Sequence, residues 1–83
     1  MKFFVIVIRD SAAGAYSQPN FVSSVGAFVR AFGDRIKSGT KDDPMCQHPE
    51  DFEAFNLGDF DDNTAEFNLH KSPVSVCRGA DYK

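Results

Sequence analysis

The chain has 83 residues, of which 42% are hydrophobic and 25% are charged, and its formal net charge is −3. This length excludes two domains and predicts a marginal core, because so short a chain buries only roughly 60–65% of its unfolded surface. The acidic balance excludes a protein that coats nucleic acid through its overall charge, since such proteins are basic.

The charge is unevenly distributed along the chain. Residues 1–41 carry six cations and two anions, a net of +4, whereas residues 42–83 carry three cations and ten anions, a net of −7. Nucleic acid is therefore a plausible ligand only for the N-terminal half. The alternative is a solvated charge distribution with no partner.

The first element is an apolar run at residues 3–8, in which most side chains are β-branched or aromatic. This composition predicts a strand within residues 1–9 that is buried on both faces. One helix covers only one of these faces, so we predict a homodimer that buries the other. The run is too short for a signal peptide or a membrane span, so we predict the cytoplasm, no membrane partner, and reduced thiols at Cys46 and Cys77.

The next element has the period of an amphipathic helix. We place this helix at residues 20–38, with Asn20 as its N-cap and Gly39 just beyond its end. Five large apolar side chains recur on one stripe of it: Phe21, Val25, Phe28, Phe32 and Ile36. The helix is expected to cover one face of a small sheet.

The second half of the chain predicts a short helical turn near Pro49 and then a hairpin, within residues 48–70. Phe60 has the wrong parity to share a face with Phe55, and a bulge near Gly58 would correct this. Ser72-Pro73 is expected to end the second strand, with a short edge strand at 74–76 and a mobile tail at 78–83. The predicted fold is a single α+β domain, β-α-(short helical turn)-β-β, with an antiparallel or mixed sheet and one long helix on one face.

No motif for metal binding is complete. The Asp59-x-Asp61-x-Asn63 pattern begins like a calcium loop but lacks the glycine and the glutamate that should follow, so a polar turn explains it better. Four residues of zinc-ligating type have no common zinc spacing: Cys46, His48, His70 and Cys77. Nothing places an orienting carboxylate or an oxyanion hole beside them. We therefore predict no metal, no cofactor and no enzyme.

Basic side chains are the remaining candidates for function. They form a possible phosphate-binding patch: Arg30, Arg35, Lys37, Lys41 and Arg9. Exposed aromatic rings would stack on single-stranded bases. The alternative, which the residues alone favour, is that these cations are simply the solvent face of an amphipathic helix and that the Phe stripe is core.

Two motifs in the centre of the chain resemble a known family. They are His48-Pro49-Glu50-Asp51-Phe52 and Phe55-x-Leu57-Gly58-x-Phe60-Asp61-Asp62-x-Thr64. This pattern is similar to the small nonstructural protein of gokushovirus-type single-stranded DNA phages, the Microviridae. Further matches are Asp10, Gln18-Pro19 and the Ala27, Arg30, Phe32 spacing. The chain departs from the pattern at Ala65, where the family usually has glycine, and from Cys77 onward.

The resemblance implies a nonstructural role in phage DNA replication. It implies a protein that binds DNA or switches replication toward single strands for packaging, in the cytoplasm of the bacterial host. The implied partners are single-stranded DNA and phage or host replication proteins. The alternative is a protein–protein interaction module that uses the acidic hairpin and makes no contact with DNA.

Overall fold

The chain folds into one antiparallel sheet with a helical layer on one face, and a computed structural model describes all of its residues, Met1 to Lys83. This confirms the α+β class. The strands are β1 (Lys2–Asp10), β2 (Ala15–Tyr16), β3 (Asn20–Val22), β4 (Phe52–Asp61) and β5 (Glu66–Arg78). The helices are α1 (Val25–Lys37), α2 (Pro44–Gln47) and two 3-10 helices, Pro49–Asp51 and Gly79–Tyr82.

Strand β1 lies in the interior of the sheet. It pairs with β4 along its whole length on one side, and with β3 and then β2 on the other. Its middle residues Val5, Ile6 and Val7 are at most 4% exposed. The apolar run is therefore an interior strand of the sheet, and its middle residues are buried on both faces, as its composition predicts.

The helix starts later than residue 20. Asn20–Val22 forms β3, with Phe21 opposite Val5 on β1, and α1 begins at Val25. Ser24 is the N-cap, and its hydroxyl accepts a 3.2 Å hydrogen bond from the backbone N–H of Ala27. The prediction of Asn20 as N-cap is wrong because Ser24 satisfies the free N–H of the first turn, while residues 20–22 gain backbone partners in the sheet.

The main core lies between the sheet and the helical layer. It consists of five buried side chains: Ile6, Phe32, Ile36, Met45 and Ala54. Two come from α1 and one from α2, a short helix that starts at Pro44. Proline fits there because the first position of a helix needs no N–H donor.

Strands β4 and β5 form the predicted hairpin, and the predicted bulge is present. Val5 pairs with Gly58 but Ile6 pairs with Asn56, so Leu57 is the extra residue. Gly58 has φ +139°, and a Cβ there would lie 2.2 Å from the backbone oxygen of Asn68 on β5. Only glycine fits this position, and the bulge brings later residues of β4 into the opposite parity.

The hairpin turn is built from Asx geometry. Asp61 Oδ1 accepts a 2.9 Å hydrogen bond from the N–H of Asn63, and the carbonyl of Asp61 accepts one from Ala65 at 2.8 Å. Ala65 has φ +60°, a left-handed conformation that favours glycine. Ala65 therefore lies in a backbone conformation that glycine would adopt with less strain.

Strand β5 continues past Ser72-Pro73 to Arg78, so the predicted end of the strand is wrong. The strand instead bulges. Leu69 pairs with Gly58 and Val74 pairs with Asn56, so residues 70–73 of β5 lie opposite the single residue Leu57 of β4. Proline is accepted here because β5 pairs only with β4 and is an edge strand.

The C-terminal residues are packed on α1, which corrects the predicted mobile tail at 78–83. Gly79–Tyr82 is a 3-10 helix, and the Tyr82 ring lies 6.0 Å from that of Phe32 in an edge-to-face arrangement. A Cβ on Gly33 would lie 2.7 Å from the Tyr82 ring, so the absence of a side chain at Gly33 makes room for it. Tyr82 thus extends the core beyond β5.

Candidate nucleic-acid interface

The face of the sheet opposite α1 carries a group of aromatic side chains. Side chains alternate between the two faces along each strand, and cross-strand partners lie on the same face. The residues of this face are therefore those in register with Val5 and Val7, whereas those in register with Ile6 face α1. We call it the aromatic face and define it by five rings: Tyr16, Phe21, Phe55, Phe60 and Phe67. They come from β2, β3, β4 and β5.

The rings form two contact groups. Phe21, Phe60 and Phe67 contact one another, with centroid distances of 5.8, 6.3 and 4.9 Å. Tyr16 and Phe55 form an edge-to-face pair at 5.9 Å. These separations lie in the range in which aromatic pairs attract one another. Within each group, the rings therefore hold one another in place without a covering layer.

The aromatic face is half exposed although the strand beneath it is buried. Val5 and Val7 are 2% and 4% exposed, while Tyr16, Phe21 and Phe67 are 50%, 51% and 56% exposed. Neighbouring rings of the same chain thus cover β1 and remain open to solvent themselves. Rings with one buried and one open side provide a surface on which planar ligands stack.

One arginine of the predicted patch lies on this face. The guanidinium carbon of Arg9 is 5.7 Å from the centre of the Tyr16 ring, a cation–π contact. Arg9, Glu53 and Arg78 form a row across β1, β4 and β5. Glu53 accepts a 2.6 Å hydrogen bond from the Ser75 hydroxyl, and Arg9 forms no ion pair within 4 Å. Arg9 is thus unpaired beside the rings, and Glu50, Asp51 and Glu53 line the same cavity as its side chain.

The acidic residues of the hairpin lie on the other side of the sheet. Asp59 pairs with Phe4 and Asp61 pairs with Lys2, so both lie on the same side of the sheet as Ile6. Together with Glu66 they line a shallow cavity at the end of the hairpin. Asp62, in the turn, binds the N-terminal ammonium at 2.6 Å. The sheet therefore separates Asp59, Asp61 and Glu66 from the aromatic face, whereas Glu53 lies on that face and Glu50 and Asp51 line a cavity with Arg9.

Arg35, on α1, is engaged in an internal ion pair. Its Nε and Nη2 donate to the two carboxylate oxygens of Asp43 at 2.7 and 2.9 Å. These hydrogen bonds lower the pKa of Asp43 from 3.8 to about 2 and raise the pKa of Arg35. The same carboxylate accepts from the N–H of Met45 and caps α2. Arg35 thus fastens α2 to α1, and a phosphate would compete with Asp43 for it.

The other helix-layer cations remain open to solvent. Arg30 lies on the outer side of α1 beside Asp34, and Lys41 is exposed in the turn that follows the helix. The ammonium of Lys37 is 5.8 Å from the centre of the Tyr82 ring. The structure brings Arg30 and Lys37 together on α1 but places Arg9 on the opposite side of the sheet. The five predicted cations therefore do not form one patch.

The two thiols are far from equivalent. Cys46 donates to the carbonyl of Arg35 at 2.9 Å. Burial raises the pKa of the Cys77 thiol to about 11, and the charges of Asp81 and Glu53 add to this effect. Cys77 is therefore protonated at neutral pH and a poor nucleophile. No three side chains of His, Cys, Asp or Glu are grouped closely enough to hold a metal ion.

Sequence reasoning named none of the five rings as a candidate binding residue. It predicted no strand at Tyr16 and placed Phe21 on the helical stripe, whereas both lie on short strands beside β1. The available signal was Ser24, which is as good an N-cap residue as Asn20 and leaves residues 20–22 for a strand.

Comparison with known proteins identifies the family. No helix is long and apolar enough to cross a membrane. No curated protein matches the chain significantly. No solved structure does so either. A family model described as phage ORF5 protein matches residues 3–82. Since this match spans nearly the whole chain, the protein belongs to the phage ORF5 protein family.

Proposed function

We propose that this phage protein is a nonenzymatic accessory factor that binds single-stranded DNA during replication and packaging of a Microviridae phage, in the cytoplasm of the bacterial host. One observation carries the proposal: a half-exposed aromatic face that is free of the acidic groups at the end of the hairpin, Asp59, Asp61 and Glu66, and beside which Arg9 is unpaired.

The chemistry of this surface suits unpaired bases. Each base that stacks on an aromatic ring contributes about 1–3 kcal/mol, and every base offers a flat surface for it. Duplex DNA hides these surfaces inside its base stack, so the aromatic face favours single strands. Arg9 supplies the phosphate contact at one end. Because this is one cation rather than a cationic groove, we expect a shallow dependence of affinity on salt.

Arg30, Arg35, Lys37 and Lys41 have a different place in this proposal. They lie on the helical layer, and a strand on the aromatic face does not reach them. Their role as phosphate ligands remains a prediction that the same experiment tests.

Fluorescence anisotropy with a labelled oligothymidine in low salt tests the proposal. Phe67→Ala is expected to weaken binding by about 5- to 150-fold, the loss of one stacked base. Val74→Ala is the matched control, because Val74 is 50% exposed on the same strand but has the parity of the helical layer. Arg9→Gln should reduce the slope of log affinity against log salt by about 1.

The variant pattern also distinguishes the two surfaces. If Arg30→Gln and Lys37→Gln weaken binding while Phe67→Ala does not, the interface is the helical layer. If anisotropy does not change with about 50 µM protein in low salt, direct DNA binding is refuted, because phosphate contacts are strongest there.

A second candidate rests on the acidic end of the hairpin, where Asp59, Asp61 and Glu66 lie together. In this alternative the protein contacts a basic surface of a phage or host replication protein and no DNA. A pull-down from infected, nuclease-treated lysate would recover such a partner with the wild-type chain and lose it with Asp59→Asn/Glu66→Gln.

We also propose a homodimer, with the aromatic face as its interface. The support is the half exposure of its rings and not the burial of β1, which neighbouring rings already cover. Light scattering that gives a mass near 9.2 kDa at high concentration would contradict it.

A further inference from the structure

We infer that self-association and single-stranded DNA compete for the aromatic face. The free protein forms a dimer through this face, and binding of DNA dissociates the dimer into monomers. This inference rests on the proposed function, and it adds a regulation of the same site. It follows from the size, composition and position of the apolar surface.

The occupant in the absence of DNA is a second copy of the chain. Tyr16, Phe21, Phe67 and the neighbouring Leu69 are 50–60% exposed on one face of the sheet. Two such faces pack against each other as inner faces of a sandwich do, with apolar side chains interdigitating. A two-fold axis brings identical patches together, so no second kind of surface is needed.

The charges at the end of the face do not oppose this pairing. Glu53 lies between Arg9 and Arg78 in the cross-strand row. The row contains both signs, and a neighbouring copy would meet an acid as well as a base. DNA offers phosphates only, so it gains from Arg9, is repelled by Glu53 and would compete for Arg78 with Asp81, which lies 3.6 Å from it.

The area of the face predicts a weak dimer. An aromatic side chain has about 150–250 Å² of surface, so the three rings, exposed by about half, offer about 225–375 Å² per copy, and Leu69 adds to this. A pair would therefore bury less than about 1,000 Å² in total, below the low end of specific interfaces. The dimer therefore dissociates readily, and a strand that stacks on the same rings displaces it.

Analytical ultracentrifugation tests the competition. From about 5 to 500 µM, without DNA, the mass should rise from monomer toward dimer. Addition of a saturating oligothymidine of about six nucleotides should then give complexes of one chain and one strand. In anisotropy titrations, the apparent affinity per chain should fall as the total protein concentration increases.

Leu69→Ser separates the two activities, because Leu69 is the aliphatic member of the surface and offers no ring for stacking. It should weaken self-association at least about fivefold while changing DNA affinity less than Phe67→Ala does. Val74→Ser, equally exposed but on the helical side, should change neither. Both residues lie on the exposed edge strand β5, where a serine is compatible with folding.

The outcomes distinguish the inference from the function on which it rests. A chain that stays monomeric at all concentrations but binds DNA overturns the inference and leaves the proposed function intact. A dimer that binds DNA without dissociating places the dimer contact elsewhere and also overturns it. A dimer that binds no DNA refutes the proposed function, and the competition with it.

Discussion

The two faces of the sheet are built from the same strands but follow different rules. The side that carries Ile6 and Ala54 is closed by α1, and both residues have no exposed surface. The side that carries Val5 and Val7 has no covering element, yet these residues are also buried. Burial of a strand therefore does not show that a second layer or a second chain covers it. Large rings on neighbouring strands achieve the same result.

What differs between the faces is the exposure of the side chains that do the covering. On the helical side Phe32 is 3% exposed, whereas on the aromatic face Phe67 is 56% exposed. A residue of the first kind contributes to stability, and one of the second kind is available to a ligand. Under the proposed function, stability and binding therefore fall on opposite sides of one sheet.

The strongest test of this assignment is a pair of identical substitutions. Phe32→Ala should cost about 3–5 kcal/mol of unfolding free energy, because it leaves a cavity in the core. Phe67→Ala should cost about 1 kcal/mol, because over half of its ring is already in water. Urea unfolding followed by circular dichroism measures both, at a protein concentration low enough to keep the chain monomeric. Equal losses would show that the aromatic face is covered in solution.

The next test removes the feature that aligns the rings. Gly58→Ala should cost about 2–4 kcal/mol, since its Cβ would overlap the backbone of β5 and its φ of +139° suits only glycine. Gly14→Ala is the control, because Gly14 also has positive φ but no atom within 4 Å of the added Cβ. Its cost should be about 1 kcal/mol, from backbone strain alone. If the two losses are the same, the close approach at Gly58 is relieved and the bulge does not depend on glycine.

Much of this fold follows from local patterns. The apolar run at 3–8 predicts β1, and the conflicting parity of Phe55 and Phe60 predicts the bulge. The stripe from Phe21 to Ile36 predicts a helix that is present from Val25 onward. Each of these signals is contained within one element or one adjacent pair of strands. Local physics is sufficient for them because alternation and helical period act over a few residues.

The features that sequence reasoning missed depend on distant partners. Phe21 fits a helical stripe and a strand equally well, and only its pairing with Val5 decides. Tyr82 is ordered because Gly33 leaves room for its ring. The aromatic face depends on strand order, which brings residues 16 and 67 to the same side. No window of the sequence contains this information.

The smallest predicted effect concerns the charge pair of the helical layer. Asp43→Asn should cost about 1 kcal/mol at neutral pH, because Arg35 is half exposed and solvent screens the pair. Asparagine keeps the cap of α2, so the loss reports the ion pair alone. The pKa of Asp43 is lowered to about 2 in the folded state, so its stabilisation is present above about pH 4 and disappears as pH falls toward 2.

The difference between wild type and Asp43→Asn in urea unfolding should therefore shrink from pH 5 to pH 2. Asp42→Asn is the control, because Asp42 is exposed and forms no ion pair, and it should show no such trend. A difference that stays constant over this range would mean that the carboxylate does not depend on Arg35. The substitution also frees the Arg35 guanidinium on α1. If affinity for single-stranded DNA then stays unchanged, the helical layer is not where the strand binds, and the aromatic face keeps that role.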